Sequence, residues 1–205
     1  RWFHDRGGYY GTCPFIAGAF FKSSEDQPFP DIQVIFTPLA TEPTSQKPKT
    51  IHGFQAHIGL QKFSTAGTVR ASSAQPGQAP EIRFNLFEER SDPQRLVYAI
   101  RHMERVFRQQ AFAEFCGERL VPGPDVESSN DLKAWLIANA GCAHHSSASC
   151  RMGSLDDENS VVDPACRVVG LEGLRVVDAS IMPEIVNSNT HATVVMIAEK
   201  AADMI

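Results

Sequence analysis

Alternating hydrophobic and polar positions predict four β-strands in the first half of the chain. Residues 31–39 alternate in this way, beginning Ile32-Gln33-Val34, which is the period of a half-buried strand. Three further segments of strand character follow, at residues 56–62, 67–73 and 81–86. They are separated by turn-forming residues, so the succession predicts an antiparallel sheet.

Two segments lack this periodicity and are predicted to be irregular. Residues 1–30 are rich in glycine and aromatic side chains, and residues 41–50 are polar and contain two prolines. Glycine and proline mark turns and irregular connections. We therefore expect a loop-rich lead-in at the start and a surface loop at 41–50.

Helical spacing of apolar residues predicts three helices in the second half. The clearest begins at Ser91-Asp92-Pro93, a capping residue followed by proline in the first turn, and is expected to end near Gly117. A second follows the cap at 128–130, and residues 174–178 predict a short buried strand. The last helix, 192–205, is expected to turn five residues inward: Val194, Val195, Ile197, Ala198 and Ala201. Together these elements predict an α+β fold, with helices on one face of an antiparallel sheet and a C-terminal strand and helix.

The composition is that of an ordinary globular protein. Hydrophobic residues make up 42% of the chain and charged residues 21%, which argues against disorder. A formal net charge of −5 argues against a nucleic-acid or anionic-membrane surface, and no apolar run has the length of a membrane span. Five scattered cysteines do not suggest a disulfide framework, so a cytoplasmic location is predicted.

Two polar clusters near the C-terminus contain residues suited to catalysis. The first, residues 142–153, includes His145, and the second, residues 187–191, ends in His191 directly before an apolar helix. The exposed amides of a helix N-terminus carry partial positive charge, so a histidine there tends to stay neutral and can act as acceptor or base. The same helix end can stabilise negative charge on a bound cofactor.

The first cluster also allows a metal site or a cysteine nucleophile. Cys142, His144, His145 and Cys150 are all of zinc-ligating type, although their spacing is not that of a Cys-x-x-Cys site. Cys150 would need an activating partner to act as a nucleophile. We expect neither a metal site nor a cysteine nucleophile here.

Residues 145–153, His-Ser-Ser-Ala-Ser-Cys-Arg-Met-Gly, resemble the His-x-x-Gly-Thr-Cys-Arg/Lys-Met-Gly segment of glucose–methanol–choline (GMC) flavin oxidoreductases. Residues 161–183, which include Val-Val-Asp-Pro and Leu-Arg-Val-Val-Asp-Ala-Ser, resemble the same family. So does the ending that starts at Asn189-Thr190-His191-Ala192. The strong resemblance covers about Leu60 to Ile205 and is looser over the first 55 or so residues.

The resemblance implies FAD-dependent oxidation of an alcohol to an aldehyde or ketone. By position, His145 is the family's catalytic base, and His191 is the second member of a His/His pair that hydrogen-bonds the substrate oxygen. Asp178 and Ala179 occupy the place where the family contacts the FAD diphosphate and ribityl region. The start of the last helix, which in the family faces the flavin pyrimidine edge, supplies the other candidate cofactor-binding residues: Thr190, Ala192 and Thr193.

The family's dinucleotide fingerprint is missing from this sequence. No Gly-x-Gly-x-x-Gly follows a predicted strand and opens a helix. The resemblance therefore implies that FAD binds only together with an N-terminal portion or companion chain that carries the Rossmann unit. Residues 1–143 are then expected to form a substrate-binding domain, and residues 144–205 to carry the histidine pair and complete the FAD-binding domain. Such a chain should expose an apolar face where the missing half docks.

Two positions depart from the family pattern. Ala148-Ser149 replaces Gly-Thr, which changes backbone freedom. His191 replaces an asparagine, which changes the hydrogen-bonding groups, so the alcohol class cannot be taken over from choline-type members. A non-catalytic binding or regulatory subunit, and a lyase that uses the flavin structurally, are the alternative functions.

Overall fold

The computed structural model describes residues 4, 13, 15–41 and 50–205. The chain divides into two compact units, each assembled from two separate stretches of sequence. Unit 1 comprises Arg1–Leu60 and Glu89–Ala140, and unit 2 comprises Gln61–Glu88 and Gly141–Ile205. The expected domain boundary at residue 143 lies near the last passage of the chain from unit 1 to unit 2, and the domain roles stay predictions.

A three-stranded antiparallel sheet forms the centre of unit 1. The described strands of this unit are β1 (Ala17–Phe21), β2 (Ile32–Thr37), β3 (Ala40–Thr41), β4 (Thr50–Ile51) and β5 (Gln55–Leu60). The sheet order is β1-β2-β5, while β3 and β4 form a separate antiparallel pair. Ile32 and Val34 are buried, as the period of a pleated strand requires. The strands expected at 31–39 and 56–62 are thus confirmed within a few residues.

Two helices complete unit 1. Helix α1 (Ser91–Phe107) packs against β5 and β2, and helix α2 (Ser129–Asn139) packs against α1. The start of α2 is closed by a capping box, in which Ser128 and Asp131 each bond the other's backbone N–H. Both helices start within a residue of the expected positions, and Leu96 and Leu132 are buried between the layers.

Helix α1 ends at Phe107 rather than near Gly117. The chain turns after Phe107 and forms a short 3-10 helix, Gln110–Phe112. Phe112 then packs back on Phe107 and Phe54, with ring centroids 5.4 and 5.8 Å apart. The apolar spacing that suggested a longer helix therefore reflects an aromatic cluster reached through a turn.

A buried ion-pair network links the start of β2 to the start of α1. Nε of Arg95 lies 2.8 Å from a carboxylate oxygen of Asp31, and Nη1 of Arg95 lies 3.0 Å from Asp92, whose side chain is fully buried. The hydroxyl and backbone N–H of Ser23 also donate to Asp31, at 2.6 and 2.7 Å. Burial alone would raise the pKa of Asp31, but the bonds from Ser23 and Arg95 hold it below its usual value.

Unit 2 contains a hairpin, a short 3-10 helix and the C-terminal helix. Strands β6 (Thr68–Arg70) and β7 (Glu81–Arg83) pair antiparallel, confirming the two remaining strand predictions. The 3-10 helix is Ala179–Ile181 and the C-terminal helix α3 is His191–Ala202. Four buried residues form the core of the unit: Val162, Cys166, Ile181 and Ala201. Antiparallel sheets with packed helices confirm the predicted α+β class.

The structure differs from expectation at residues 174–178. This segment is not a regular strand, and its one bridge joins Arg175 to Arg167. Leu174 is 49% exposed rather than buried. Two backbone hydrogen bonds flank this bridge, from Val168 N–H to the carbonyl of Leu174 at 3.0 Å and from Val176 N–H to the carbonyl of Cys166 at 3.1 Å. The pairing is therefore antiparallel but too short to make a regular strand.

Two further expectations are corrected. Residues 17–21, placed in the loop-rich lead-in, form β1, an edge strand that exists through its pairing with β2. Helix α3 buries Ala201 and half-buries Val194 and Ile197, but the expected inward residues Val195 and Ala198 are exposed. Most of residues 1–14 of the lead-in, and residues 42–49 of the expected surface loop, lie outside the described residues. No helix in the described part of the chain is long and apolar enough to cross a membrane.

Candidate functional site

His145 lies in an irregular loop that contains two left-handed residues. The loop joins α2 to the segment beyond residue 153 and contains no regular element, as its composition predicted. His144 has φ of 60° and Ala148 has φ of 67°, a region that a side chain with a Cβ enters at a cost. These two residues bracket His145 and turn the chain sharply on either side of it. Strained backbone of this kind is concentrated at functional sites.

The loop is fastened to the 3-10 helix by backbone hydrogen bonds. Three amides spaced two residues apart donate to three successive carbonyls, at 3.3, 2.9 and 2.8 Å. The pairs are Ala148 to Ala179, Cys150 to Ser180 and Met152 to Ile181. Since Ile181 belongs to the core of unit 2, these bonds hold the loop that carries His145 against a packed scaffold.

Both ring nitrogens of His145 have side-chain partners. Nδ1 lies 3.0 Å from the hydroxyl oxygen of Thr190, and Nε2 lies 2.7 Å from the amide nitrogen of Asn189. An amide nitrogen can only donate, so Nε2 accepts and is unprotonated in the neutral ring. The ring proton is then on Nδ1 and is donated to Thr190. In this arrangement Nε2 is the nitrogen able to take up a proton.

Thr190 connects this ring to the start of helix α3. It is the N-cap residue of α3 and only 7% exposed. Threonine at this position ordinarily caps the helix by accepting from a backbone N–H of the first turn. Here no side-chain cap is formed, because the hydroxyl is turned to His145 instead. The contact ties residue 145 to residue 190 within unit 2.

His191 lies at the start of helix α3, and its predicted role toward a substrate stays a prediction. It is the first residue of α3 and its side chain is exposed. Among the described residues no hydrogen bond joins His191 to His145, and the two residues before it make the contacts. Asn189 belongs to the C-terminal motif, but the sequence alone did not indicate a role for it. Its position beside Thr190 in a polar cluster was the signal that could have identified it.

Asp178 uses its carboxylate within the chain. It is the N-cap of the 3-10 helix, and its Oδ1 accepts from the backbone N–H of Ser180 at 2.7 Å and from the Ser180 hydroxyl. The carboxylate would in any case repel a diphosphate. Any contact between a diphosphate and Asp178-Ala179 therefore falls to the backbone.

The start of α3 fits a polar or negatively charged group. Its first turn contains no acidic residue and no side-chain cap, so neither of these groups offsets the partial positive charge of its amides. Ser147, two residues after His145, has a buried hydroxyl oxygen with no hydrogen-bond partner among the described residues. Both features suit the polar edge of a flavin. Ala192 and Thr193, two of the predicted cofactor-binding residues, lie in this first turn.

The sulfur atoms near His145 are not arranged as a metal site. Sγ of Cys142 accepts from the backbone N–H of His144 at 3.2 Å and lies 3.8 Å from the Ser146 hydroxyl. In the part of the chain that the structure describes, no three His, Cys, Asp or Glu side chains are grouped to hold a metal ion. All five cysteines are described and have free thiols.

The sequence of this chain matches a family model and a set of curated relatives. A family model described as GMC oxidoreductase matches residues 63–198. An oxygen-dependent choline dehydrogenase from Serratia proteamaculans (strain 568) is 42% identical over 205 residues, which is 100% of this chain and 37% of that protein. The chain thus spans less than two fifths of the length of the curated relatives it matches.

Solved structures agree with the sequence relatives. Pyridoxine 4-oxidase from Mesorbium loti has a TM-score of 0.75 at 25% identity, over 91% of this chain and 36% of that one. A formate oxidase from Aspergillus oryzae RIB40, studied for modification of its FAD, has a TM-score of 0.72 at 26% identity, over 86% and 31%. FAD, the cofactor that the motifs implied, is thus named for a neighbour of this fold. The family model and these relatives together show that the chain belongs to the GMC oxidoreductases and corresponds to their C-terminal part.

Proposed function

We propose that this chain is the catalytic, C-terminal part of an enzyme that oxidises an alcohol to an aldehyde or ketone with FAD. The observation that carries the proposal is the contact set of His145, in which Thr190 and Asn189 hold the ring with Nε2 as acceptor. A neutral imidazole held this way is a general base. The choline dehydrogenase relatives support an alcohol as the substrate.

His145 has the central role in the proposed reaction. Its Nε2 takes the proton of the substrate hydroxyl, replacing the hydrogen bond from Asn189 as the alcohol binds. The imidazolium that forms keeps its Nδ1–H on Thr190. FAD, when bound, supplies the acceptor for the hydride that leaves the alcohol carbon. His191, exposed at the start of α3, hydrogen-bonds the substrate oxygen.

The cofactor is held jointly with the part of the enzyme outside this chain. We propose that the first turn of α3, with Ala192 and Thr193, faces the electron-rich edge of the flavin. Thr190 meets the flavin only through its backbone, because its hydroxyl is on His145. Asp178 and Ala179 meet the diphosphate region through backbone atoms.

The proposed N-terminal FAD-binding portion also covers apolar surface of α3. Val195 is 46% and Met196 57% exposed on this helix, and an N-terminal FAD-binding portion seated there would bury both side chains. The relatives are long enough to contain such a portion, since this chain matches 37% of their length. That portion is either part of the same polypeptide or a companion chain. A cytoplasmic location is also part of the proposal.

Anaerobic stopped-flow reduction of the flavin tests the proposed function. The full-length, FAD-loaded enzyme is mixed with choline, pyridoxine and simple primary alcohols, and flavin bleaching is followed. We expect bleaching with at least one alcohol, and its loss in His145→Ala with FAD content unchanged. The matched control is His144→Asn, because the His144 side chain is exposed and adjoins the base, and asparagine tolerates the left-handed backbone at this position.

The outcomes separate the candidate functions. Reduction of His145→Ala at near wild-type rate would remove His145 as the base. A wild-type enzyme that retains FAD but is not reduced by any alcohol favours the lyase, and one that binds no FAD favours the regulatory subunit.

A further inference from the structure

We propose that strand β7 pairs with the β7 of a second copy of this chain and so joins two protomers into a dimer. The two strands run antiparallel about Ile82, and the two β6-β7 hairpins become one four-stranded sheet. The proposal concerns a surface of unit 2 and does not depend on the reaction that the enzyme catalyses.

The β6-β7 hairpin is exposed on both of its faces. All of residues 66–84, which include both strands in full, are exposed. The apolar side chains of Val69 and Ile82, which lie opposite each other in the hairpin, are 56% and 54% exposed. A two-stranded hairpin is only marginally stable in water unless further strands or a packed layer support it. The hairpin therefore needs a partner that the described residues do not supply.

Strand β7 offers an open edge to such a partner. In the part of the chain that the structure describes, its sheet contains only β6 and β7. The backbone groups on the side of β7 away from β6 can therefore pair with another strand. Glu81, Ile82 and Arg83 include no proline, so each of these residues has an N–H to donate. Addition of a strand from another chain to an edge of this kind is a common mode of association.

The charges of β7 favour a second copy of the same strand as the partner. In an antiparallel pairing centred on Ile82, Glu81 lies opposite Arg83 of the second copy, and Arg83 lies opposite its Glu81. The twofold symmetry of such a dimer forms the same ion pair twice. Opposite charges directly across two strands stabilise their pairing, and like charges destabilise it. A strand with a single sign of charge would instead repel its own copy.

The register of the hairpin extends this complementarity across the sheet. Arg70 of β6 is opposite Glu81, so Glu81 in the dimer lies between two arginines, Arg70 and Arg83 of the second copy. Glu81 and Arg83 share one face of β7, where Oε1 of Glu81 accepts from Nε of Arg83 at 2.7 Å. On the other face, Val69 and Ile82 of both copies form one apolar row. Charged side chains thus meet charged ones, and apolar side chains meet apolar ones.

The other edge of the hairpin lacks this complementarity. A β6 strand paired with its own copy about Val69 places Thr68 opposite Arg70 and forms no ion pair. The N-terminal portion of the enzyme is the alternative occupant of the hairpin. It predicts a monomer in which the charges of residues 81 and 83 have no effect on association.

The short length of β7 sets the strength expected of the dimer. Strands of three residues make a smaller contact than a standard stable interface. The dimer is therefore expected to form at high protein concentration and to dissociate on dilution.

Sedimentation velocity of the full-length holoenzyme over a series of concentrations tests the proposal. The wild type should shift from monomer to dimer as its concentration rises. Glu81→Arg makes both charged positions of β7 basic, and Arg83→Glu makes both acidic. Each single variant should therefore have a dissociation constant at least about tenfold higher than that of the wild type. Glu88→Arg, an exposed charge reversal outside the strand, is the matched control and should dimerise as the wild type does.

Mixing the two single variants gives the most specific result. Glu81→Arg and Arg83→Glu are complementary to each other, so an equimolar mixture should form heterodimers at concentrations where neither variant dimerises alone. Heterodimers also show that both variants are folded, and the flavin absorbance measures retention of FAD independently. A wild type that is monomeric at every concentration overturns the proposal and favours the N-terminal portion as the occupant. Single variants that dimerise like the wild type, or that retain FAD but do not associate on mixing, also overturn it.

Discussion

The amide nitrogen of Asn189 lies 2.7 Å from Nε2 of His145, on the nitrogen that the proposed reaction needs as a base. In the proposed reaction, the amide donates to the lone pair of Nε2 until a substrate hydroxyl takes its place. Its donor character is as important as its position, because only a donor leaves Nε2 unprotonated.

Asn189→Asp should therefore impair flavin reduction at least tenfold. The carboxylate has nearly the same shape but accepts hydrogen bonds, so it favours a proton on Nε2. A protonated Nε2 cannot accept the proton of the substrate hydroxyl. Stopped-flow reduction by a substrate alcohol gives the rate, and the flavin absorbance gives the FAD content, which should not change. Asn139→Asp, at the exposed end of α2, is the control for the added charge. A variant as fast as wild type would show that the amide's donor character is immaterial.

Ala148→Gly should stabilise the protein. Ala148 has φ of 67°, where an L-residue with a Cβ is disfavoured by about 1–2 kcal/mol and glycine is not. The extra freedom of glycine in the unfolded chain offsets about 0.5–1 kcal/mol of this. A net gain of about 0.5–1 kcal/mol is expected as a higher thermal midpoint of the full-length protein. Ala140→Gly, where φ is −70°, should lower the midpoint instead, and a lower midpoint for both would contradict the explanation.

Arg95→Met should be strongly destabilising. The guanidinium is the shared partner of Asp31 and Asp92, whose side chains are 8% and 0% exposed. Removing it leaves buried carboxylates without their cation, which costs about 3–5 kcal/mol. Arg83→Met is the matched control, because the Arg83 to Glu81 pair is on the surface and should change stability by under about 1 kcal/mol. Chemical denaturation of the full-length protein measures both, and equal effects would refute the assignment.

Asp31 should contribute to acid sensitivity. Its pKa is lower in the folded chain than its usual value of 3.8, so below about pH 5 the unfolded state binds more protons than the folded state. The stabilisation is present above the unfolded pKa and is lost as the pH falls through the lowered folded pKa. Asp31→Asn should make the thermal midpoint lower at neutral pH and less dependent on pH between about 5 and 3. Asp26→Asn, at an exposed position, should retain the wild-type pH dependence.

The elements that sequence patterns predicted are those whose signal is local. The alternation around Ile32 and Val34 and the Ser128 cap each depend on a few neighbouring residues, and the structure contains both elements. Strand β1 was missed because its side chains are mostly exposed and its pairing with β2 is not local. No regular strand forms at 174–178, because the antiparallel pairing of this segment with residues 166–168 is limited to one bridge and its two hydrogen bonds.

The site was predictable in its residues but not in its contacts. His145 and Thr190 could be named from their motifs, yet residues 45 positions apart give no sequence signal of which atom meets which. The left-handed backbone of Ala148 was foreshadowed only by the family's glycine at that place. The roles of His191, Ala192, Thr193 and Asp178 toward a substrate and FAD stay predictions, because they involve groups outside this chain.

The interrupted course of unit 2 has a consequence for how the protein is made. Its residues 61–88 are synthesised before residues 89–140, and the residues 141–205 that complete the unit leave the ribosome only after them. Folding of unit 2 is therefore delayed until residues 141–205 have been synthesised, and residues 89–140 can fold first with residues 1–60. Contacts of such long sequence separation also slow folding. A premature stop shortly before Thr190 would leave both stretches of unit 1 complete and unit 2 without helix α3.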